Sequence, residues 1–319
     1  SITETIEFIT KNIAGVDFNL DLSNIITVCD RSAGASTTKF PKLQSIFKLE
    51  EFEHSSPIMK FPLYQNSIAE RLYGIAVAKK SNLIVAADYS YKGQITTLIE
   101  QIGHLIAGVK LHIDIIHDAD AGFLGELKFL KAKHNIILIE DIKAGDISEI
   151  TLAKLKNPRH GIMDWADAIT VHSISGLPKL GADCNLGLIP VIEMSCNSLI
   201  TPEYTRHSLD MMRERDNAIA GAVIQNVGNM AHKWEFLGMT PGINLDTSAP
   251  ASNPSSNQKY KNPLEASSTG QFWIVGRGII SKPDCRGCAP ANEACFSRPD
   301  VVVAAEEYRN IGWEHFIKY

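Results

Sequence analysis

From residue 82 onward, short apolar runs recur along the chain: NLIVAAD (82–88), GVKLHIDII (108–116), HNIILIED (134–141), DAITVHSI (167–174), GLIPVIEM (187–194), AIAGAVIQ (218–225), EFLGMTPG (235–242) and QFWIVGRG (271–278). Runs this short, bounded by turn residues, fit buried strands. Between most of them lie segments with apolar residues at helical spacing, such as GQITTLIEQIGHLIAG and EYTRHSLDMMRERDN. Eight strand candidates alternating with helices predict a closed (β/α)8 barrel, the TIM-barrel architecture, in which the first and eighth strands pair to close the ring. The alternative is an open doubly wound sheet. No G-x-G-x-x-G follows the first strand, which argues against its dinucleotide-binding version.

Ahead of the barrel, residues 66–82 (NSIAERLYGIAVAKKSN) read as an amphipathic helix with Lys79 and Lys80 in its last turn. Residues 1–65 read as an N-terminal extension packed on the barrel. A helix-like stretch at 2–13 is followed there by an irregular Ser/Pro/Lys-rich segment. The expected organisation is therefore this extension plus one barrel over 66–319.

Composition narrows the function classes. With 45% hydrophobic residues the chain has enough apolar material for a large core, and a net charge of −5 without a long basic run speaks against nucleic-acid binding. No apolar stretch reaches membrane-spanning length, and the first residues do not resemble a signal peptide. Six cysteines in a chain this long point to a reducing, cytoplasmic setting rather than a disulfide framework. Cys285-x-x-Cys288, with Cys295 beyond, invites a zinc reading. It lies in a Pro/Gly/Asn-rich segment without a fourth ligand nearby, so no metal is expected.

In such barrels chemistry sits at the C-terminal ends of the strands. Those ends carry Asp88, Lys110 and His112, Asp141 with Lys143, His172, Ser195, Pro241 and Arg277. Alternation along 108–116 puts Val109, Leu111 and Ile113 on one face and Lys110, His112 and Asp114 on the other. Neither face of a barrel strand is solvated, so Lys110 needs either a partner or a route to water. Asp141 and Lys143, two apart in extended chain, share a face. Asp146 follows where loop becomes helix. It can serve there as an N-cap, with Glu149 completing a capping box, and the bland alternative for Asp141 and Lys143 is a surface ion pair.

Over about residues 60–319 the chain resembles the eukaryotic form of the orotidine 5′-monophosphate decarboxylase family. The resemblance is carried in order by YQNSIAERLYGIAVAKKSNLIVAAD, VKLHIDII, EDIKAGDI, WADAITVH, PVIEMSCNSL, MTPGINLD, IVGRGII and YRNIGWEHF. It implies a cofactor-independent decarboxylation of a pyrimidine nucleotide by a homodimer with shared active sites. Lys110, Asp141 and Lys143 would form an alternating charge chain, completed by Asp146 of the other subunit, with Lys143 as proton donor. Asp88 and His112 would serve the ribose, Ser195 the pyrimidine ring, and Gln258, Tyr260 and Arg277 the phosphate.

Two departures stand out. The family pattern Asp-Ile-Gly-Asn-Thr carries a threonine that reaches the neighbouring site; here Thr151 falls one residue late. The stretches TSAPASNPSSN and Cys285–Cys295 read as surface insertions. A start at Ser1 rather than Met is compatible with the decarboxylase part of a UMP synthase, a fusion common among eukaryotic relatives. Two rival readings remain: a metal-dependent sugar-phosphate decarboxylase of the same suprafamily, and a nucleotide-binding paralogue without activity.

Overall fold

A computed structural model describes residues 66–181, 184–226, 236–245, 252–253, 258–267, 269–280 and 299–317. The expected N-terminal extension, the helix at 2–13 and the Cys285/Cys288/Cys295 segment lie outside the described residues.

Eight parallel strands form the central sheet. They are β1 (Leu83–Ala86), β2 (Gly108–Leu111), β3 (Ile137–Ala144), β4 (Ala168–Val171), β5 (Gly187–Pro190), β6 (Ala222–Val223), β7 (Gly238–Pro241) and β10 (Phe272–Val275). A separate antiparallel pair, β8 (Ser252–Asn253) and β9 (Gln258–Lys259), is inserted before β10. The order β5-β4-β3-β2-β1-β10-β7-β6 leaves β5 and β6 at the seam. Bridges between Leu188 and Ile219 and between Val191 and Val223 close the seam into a ring. The eighth barrel strand pairs with the first, Leu83 opposite Trp273, as the pattern predicts.

The described helices are α1 (Ser67–Lys79), α2 (Lys92–Ile102), α3 (Ala121–His134), α4 (Ser148–Leu155), α5 (Ile162–Trp165), α6 (Pro202–Arg213), α7 (Pro263–Ser267) and α8 (Pro299–Phe316). Strands β1, β2, β4, β5, β6 and β10 are buried along their whole length, which explains why the runs are largely apolar instead of alternating. Residues facing the helices, such as Val85, Val109, Leu138 and Ile169, join one core cluster. Inward-facing Ile84, Ile137, Ile139, Ile189, Met239 and Phe272 join another.

The inner cluster also takes in Ala69, Leu72, Tyr73 and Ala76 of α1. This helix starts where the Asn66 side chain accepts the N–H groups of Ile68 and Ala69, and stops at Lys80 in the left-handed conformation. It packs at the N-terminal ends of the strands, where the Lys79 ammonium donates to the carbonyls of Gly103, Ile106 and His134 at 2.6–2.9 Å. Beside it, buried Asp167 receives Arg71 and Lys131, each at 3.0 Å, and the Leu138 N–H at 2.9 Å. The terminal helix α8 anchors to the same helix through Arg309, which donates to the Lys79 carbonyl. Gly312 permits the close approach, since a Cβ there would collide with Asn82. One end of the barrel is thus filled by a packed helix and satisfied polar groups, while the ionisable rim lies at the other.

Candidate active site

A cavity of about 300 Å³ opens at the C-terminal ends of the strands and collects most of the sequence-predicted residues. Asp88, Lys110, His112, Asp141, Lys143, Ser195, Gln258, Tyr260 and Arg277 all line it. Its size falls at the lower end of the range for small-molecule sites.

Asp141 is at its centre. It is 8% exposed, and each carboxylate oxygen has two donors. Oδ2 receives Lys110 Nζ at 2.8 Å and His112 Nε2 at 3.2 Å; Oδ1 receives Lys143 Nζ at 2.8 Å and the Thr170 hydroxyl at 2.7 Å. Burial by itself would raise the Asp141 pKa, but Lys110, His112 and Lys143 outweigh it and hold the carboxyl well below the usual range. Lys110 is the mirror case. Burial favours its neutral form, and Asp141 with Asp88, 3.3 Å away, reverses that and raises its pKa. Lys110 therefore does not run to water; it is a buried cation between two carboxylates. His112 Nε2 also lies 3.1 Å from Lys110 Nζ. An ammonium only donates, so this ring nitrogen can accept from Lys110 or donate to Asp141, but not both at once.

Strand β2 is shorter than its alternation predicts. It ends at Leu111, and Ile113–Ile115 form a 3-10 turn. Asp114 is consequently exposed and no longer shares a strand face with Lys110. The turn is held by Glu140, whose carboxyl oxygens accept the Ile113 N–H at 3.1 and 3.3 Å from the outer face of β3. Glu140 is 1% exposed. Burial, helped by Asp114 and Asp141 and opposed by the Ile113 N–H, pushes its pKa up to about 8.

The second group of predicted residues meets on the far side of the cavity. Arg277 Nη2 donates to Gln258 Oε1 at 2.6 Å, and its guanidinium lies over the Tyr260 ring at 5.5 Å. Strand β9 is tied to the Ser195 segment by Lys259 N–H donating to the Ser195 carbonyl at 2.6 Å. Gly242, at φ +81°, leaves room for this approach, because a Cβ would meet the Lys259 carbonyl at 2.7 Å.

Asp146 and Thr151 lie elsewhere. Neither lines the cavity. The N-cap of α4 is Ile147, so the capping box expected from Asp146 and Glu149 does not form. Asp146 instead accepts the Ile147 N–H at 2.9 Å and pairs with Lys154 at 3.2 Å, with 43% of its side chain exposed. Thr151 is fully buried and its hydroxyl donates to the Asp146 carbonyl at 3.2 Å. That hydroxyl braces the Asp146 turn within its own chain.

Thr170 is a polar cavity residue that carries no signal in the sequence. In DAITVHSI it reads as an ordinary β-branched strand residue, yet it shares the inward face of β4 with Ala168. Glu193 also lines the cavity without a signal in the sequence; its Oε2 accepts the N–H groups of Gln225 and Asn226. His172 stands at a strand end as predicted but outside the cavity lining. Burial lowers its pKa, and the Lys143 charge lowers it further.

The fold and the site together define a (β/α)8 barrel of the enzyme type, with converging charges of both signs at its C-terminal rim. The profile of the Orotidine 5'-phosphate decarboxylase / HUMPS family matches residues 81–289. Orotidine 5'-phosphate decarboxylases of Rhizopus oryzae and Saccharomyces cerevisiae are each 30% identical to the chain, over 80% of it and 92% and 93% of their own lengths. The orotidine 5'-monophosphate decarboxylase of Methanocaldococcus jannaschii, solved with inhibitor BMP, shares the fold at TM-score 0.50 and 16% identity, over 72% of this chain and 97% of that one. The chain belongs to the Orotidine 5'-phosphate decarboxylase / HUMPS family.

The raised Glu140 pKa carries a stability consequence. The folded chain keeps this proton up to about pH 8, whereas the unfolded chain releases it near the ordinary value of 4.5. Between those values the folded state binds more protons, so the Glu140 contribution to stability falls as pH rises. Glu140→Gln removes this slope. Thermal unfolding should show the variant gaining in Tm over wild type between pH 5 and pH 8.5; parallel Tm profiles would contradict the assignment.

Proposed function

We propose that the protein decarboxylates orotidine 5′-monophosphate to UMP in pyrimidine biosynthesis, using the Lys110–Asp141–Lys143 cluster and no cofactor. The observation that carries the reading is a single cavity joining this cluster to Gln258, Tyr260 and Arg277. The relatives' shared name supports the substrate. Arg277 and Tyr260 suit a phosphate, with Gln258 beside them, and the Ser195 segment suits a ring between phosphate and charge cluster.

Loss of CO2 from C6 leaves an electron pair that the pyrimidine ring does not readily delocalise. A preplaced cation stabilises that charge without reorganisation during the reaction. Lys143 takes this role. It is about one-third exposed toward the cavity, is held at 2.8 Å by Asp141, and delivers the proton to C6. Lys110 balances Asp141 from behind, and Asp88 and His112 serve the ribose. Phosphate binding remote from C6 supplies energy for holding the reactive geometry.

The reading includes a homodimer with shared sites. Asp146 is exposed outside its own cavity, and Ile147, Ile150 and Ile174 are exposed at 57%, 42% and 77%. Ile147 adjoins Asp146, and Ile174 lies close to Gly145. An apolar surface around an exposed carboxylate suits a second copy that receives Asp146 into its cavity. We assign the protein to the cytoplasm, where its free thiols Cys184 and Cys196 fit a reducing setting.

The metal-dependent sugar-phosphate reading fits less well, because it leaves Ser195 and the Gln258–Tyr260 pair without a ring to recognise. Loss of orotidylate absorbance, followed with a chelator present, tests the proposal. Wild type should turn over undiminished, and Lys143→Ala should lose at least about 1000-fold in kcat while still folding and binding UMP. A requirement for added metal, or normal turnover by the variant, would overturn it. Mixing unfolded Lys143→Ala and Asp146→Asn chains and refolding them should restore about a quarter of wild-type sites, since random pairing makes half the dimers mixed, with one intact site each. No recovery above the separate variants would contradict shared sites.

A further inference from the structure

The β3–β4 ladder is interrupted where the charge cluster stands. Glu140 pairs with Ile169 and Ala144 with Val171, so Asp141, Ile142 and Lys143 on one strand face only Thr170 on the other. Such a bulge re-aims side chains and leaves backbone groups without ladder partners. Lys143 adopts φ +47° within it, a left-handed conformation that lysine seldom takes without support from its surroundings.

Thr170 supplies that support. Its hydroxyl accepts the Lys143 N–H at 2.9 Å and sits 2.7 Å from Asp141 Oδ1, with the residue 2% exposed. The directions are fixed. The Lys143 N–H can only donate, so the single hydroxyl proton of Thr170 goes to Asp141. One buried oxygen thus replaces the missing ladder acceptor for Lys143 and fills a donor place on the carboxylate to which the Lys143 ammonium is paired.

We propose that Thr170 is the positioning residue of the site, a clasp whose hydroxyl sets the backbone of Lys143 and the orientation of Asp141 together. It acts through these two residues rather than on the substrate, and the proposal rests on the decarboxylase reading for its kinetic consequences. A hydroxyl is what the position needs. Valine keeps the shape and strand preference but offers neither acceptor nor donor; serine keeps both.

Thr170→Val and Thr170→Ser, assayed on orotidylate beside wild type, test the clasp. In the valine variant kcat should fall by roughly 10- to 100-fold, the scale of a small misplacement of a reacting group, with KM changed by less than about threefold because the phosphate grip is untouched. The acidic limb of its kcat–pH profile should move upward, since Asp141 loses one of its four donors. Serine should recover kcat to within about fivefold of wild type and restore the limb. Lys143 amide hydrogen exchange should accelerate in the valine variant alone.

A valine variant with wild-type kcat, or one whose loss is matched by a smaller folded fraction with an unmoved pH limb, would overturn the proposal; so would failure of serine to rescue. A wild-type protein inert toward orotidylate overturns the functional reading but not the clasp. The Lys143 amide then decides: selective acceleration in the valine variant upholds the clasp, and unchanged exchange overturns it.

Discussion

A carboxylate buried at the end of a barrel strand is the constraint on which the remainder of this site depends. Asp141 has lost nearly all contact with water, and an ionised carboxylate in that position costs several kcal/mol unless its oxygens are satisfied. Two ammonium groups, an imidazole and a hydroxyl satisfy them, two donors to each oxygen. The dependence runs both ways. Lys110 is buried as a cation only because Asp141 and Asp88 flank it, so removing Asp141 would leave its charge short of a partner.

The barrel explains why these groups meet. Strands β2, β3 and β4 are neighbours, with Lys110 opposite Ile139 and Ile139 opposite Ala168, so Lys110 on one strand and Asp141 and Thr170 two residues further along the next two all line the cavity. A regular ladder would send Lys143 along the same line, and the bulge turns it instead. Behind β3, Glu140 uses the outer face of the same strand to hold the turn that follows His112. Alternation along one strand therefore serves both layers: Asp141 toward the cavity, Glu140 toward the turn that ends β2. At the opposite end α1 and its capped carbonyls fill the barrel, leaving the charge cluster at the open rim.

Legibility in the sequence followed physical locality. Strand identity was readable because strands buried on both faces leave continuous apolar runs, and the pairing of the first with the eighth follows from the count. Lys110, Asp141 and Lys143 stood out because charge is anomalous in such runs. The Gln258–Tyr260–Arg277 grouping came through the family resemblance rather than through spacing, since it joins β9 to the end of β10 across an insertion. Backbone detail was not legible. The bulge that puts Lys143 at positive φ, the early end of β2 and the shift of the α4 cap to Ile147 all depend on contacts between strands or turns distant in sequence. Thr170 and Glu140 are not legible for the same reason, because each acts on a backbone N–H supplied by another strand or turn.

The most direct measurement is the titration of Asp141 itself, by carbon-13 NMR of labelled aspartate carboxyls with the resonance assigned through Asp141→Asn. If two lysines, a histidine and Thr170 hold this carboxylate ionised, its chemical shift stays flat as pH falls from about 7 to about 3.5, while exposed aspartates titrate around their ordinary value near 3.9. A resonance that moves with the exposed aspartates would contradict the account. It would mean that the charge at the centre of the site is not the one on which the rest is built.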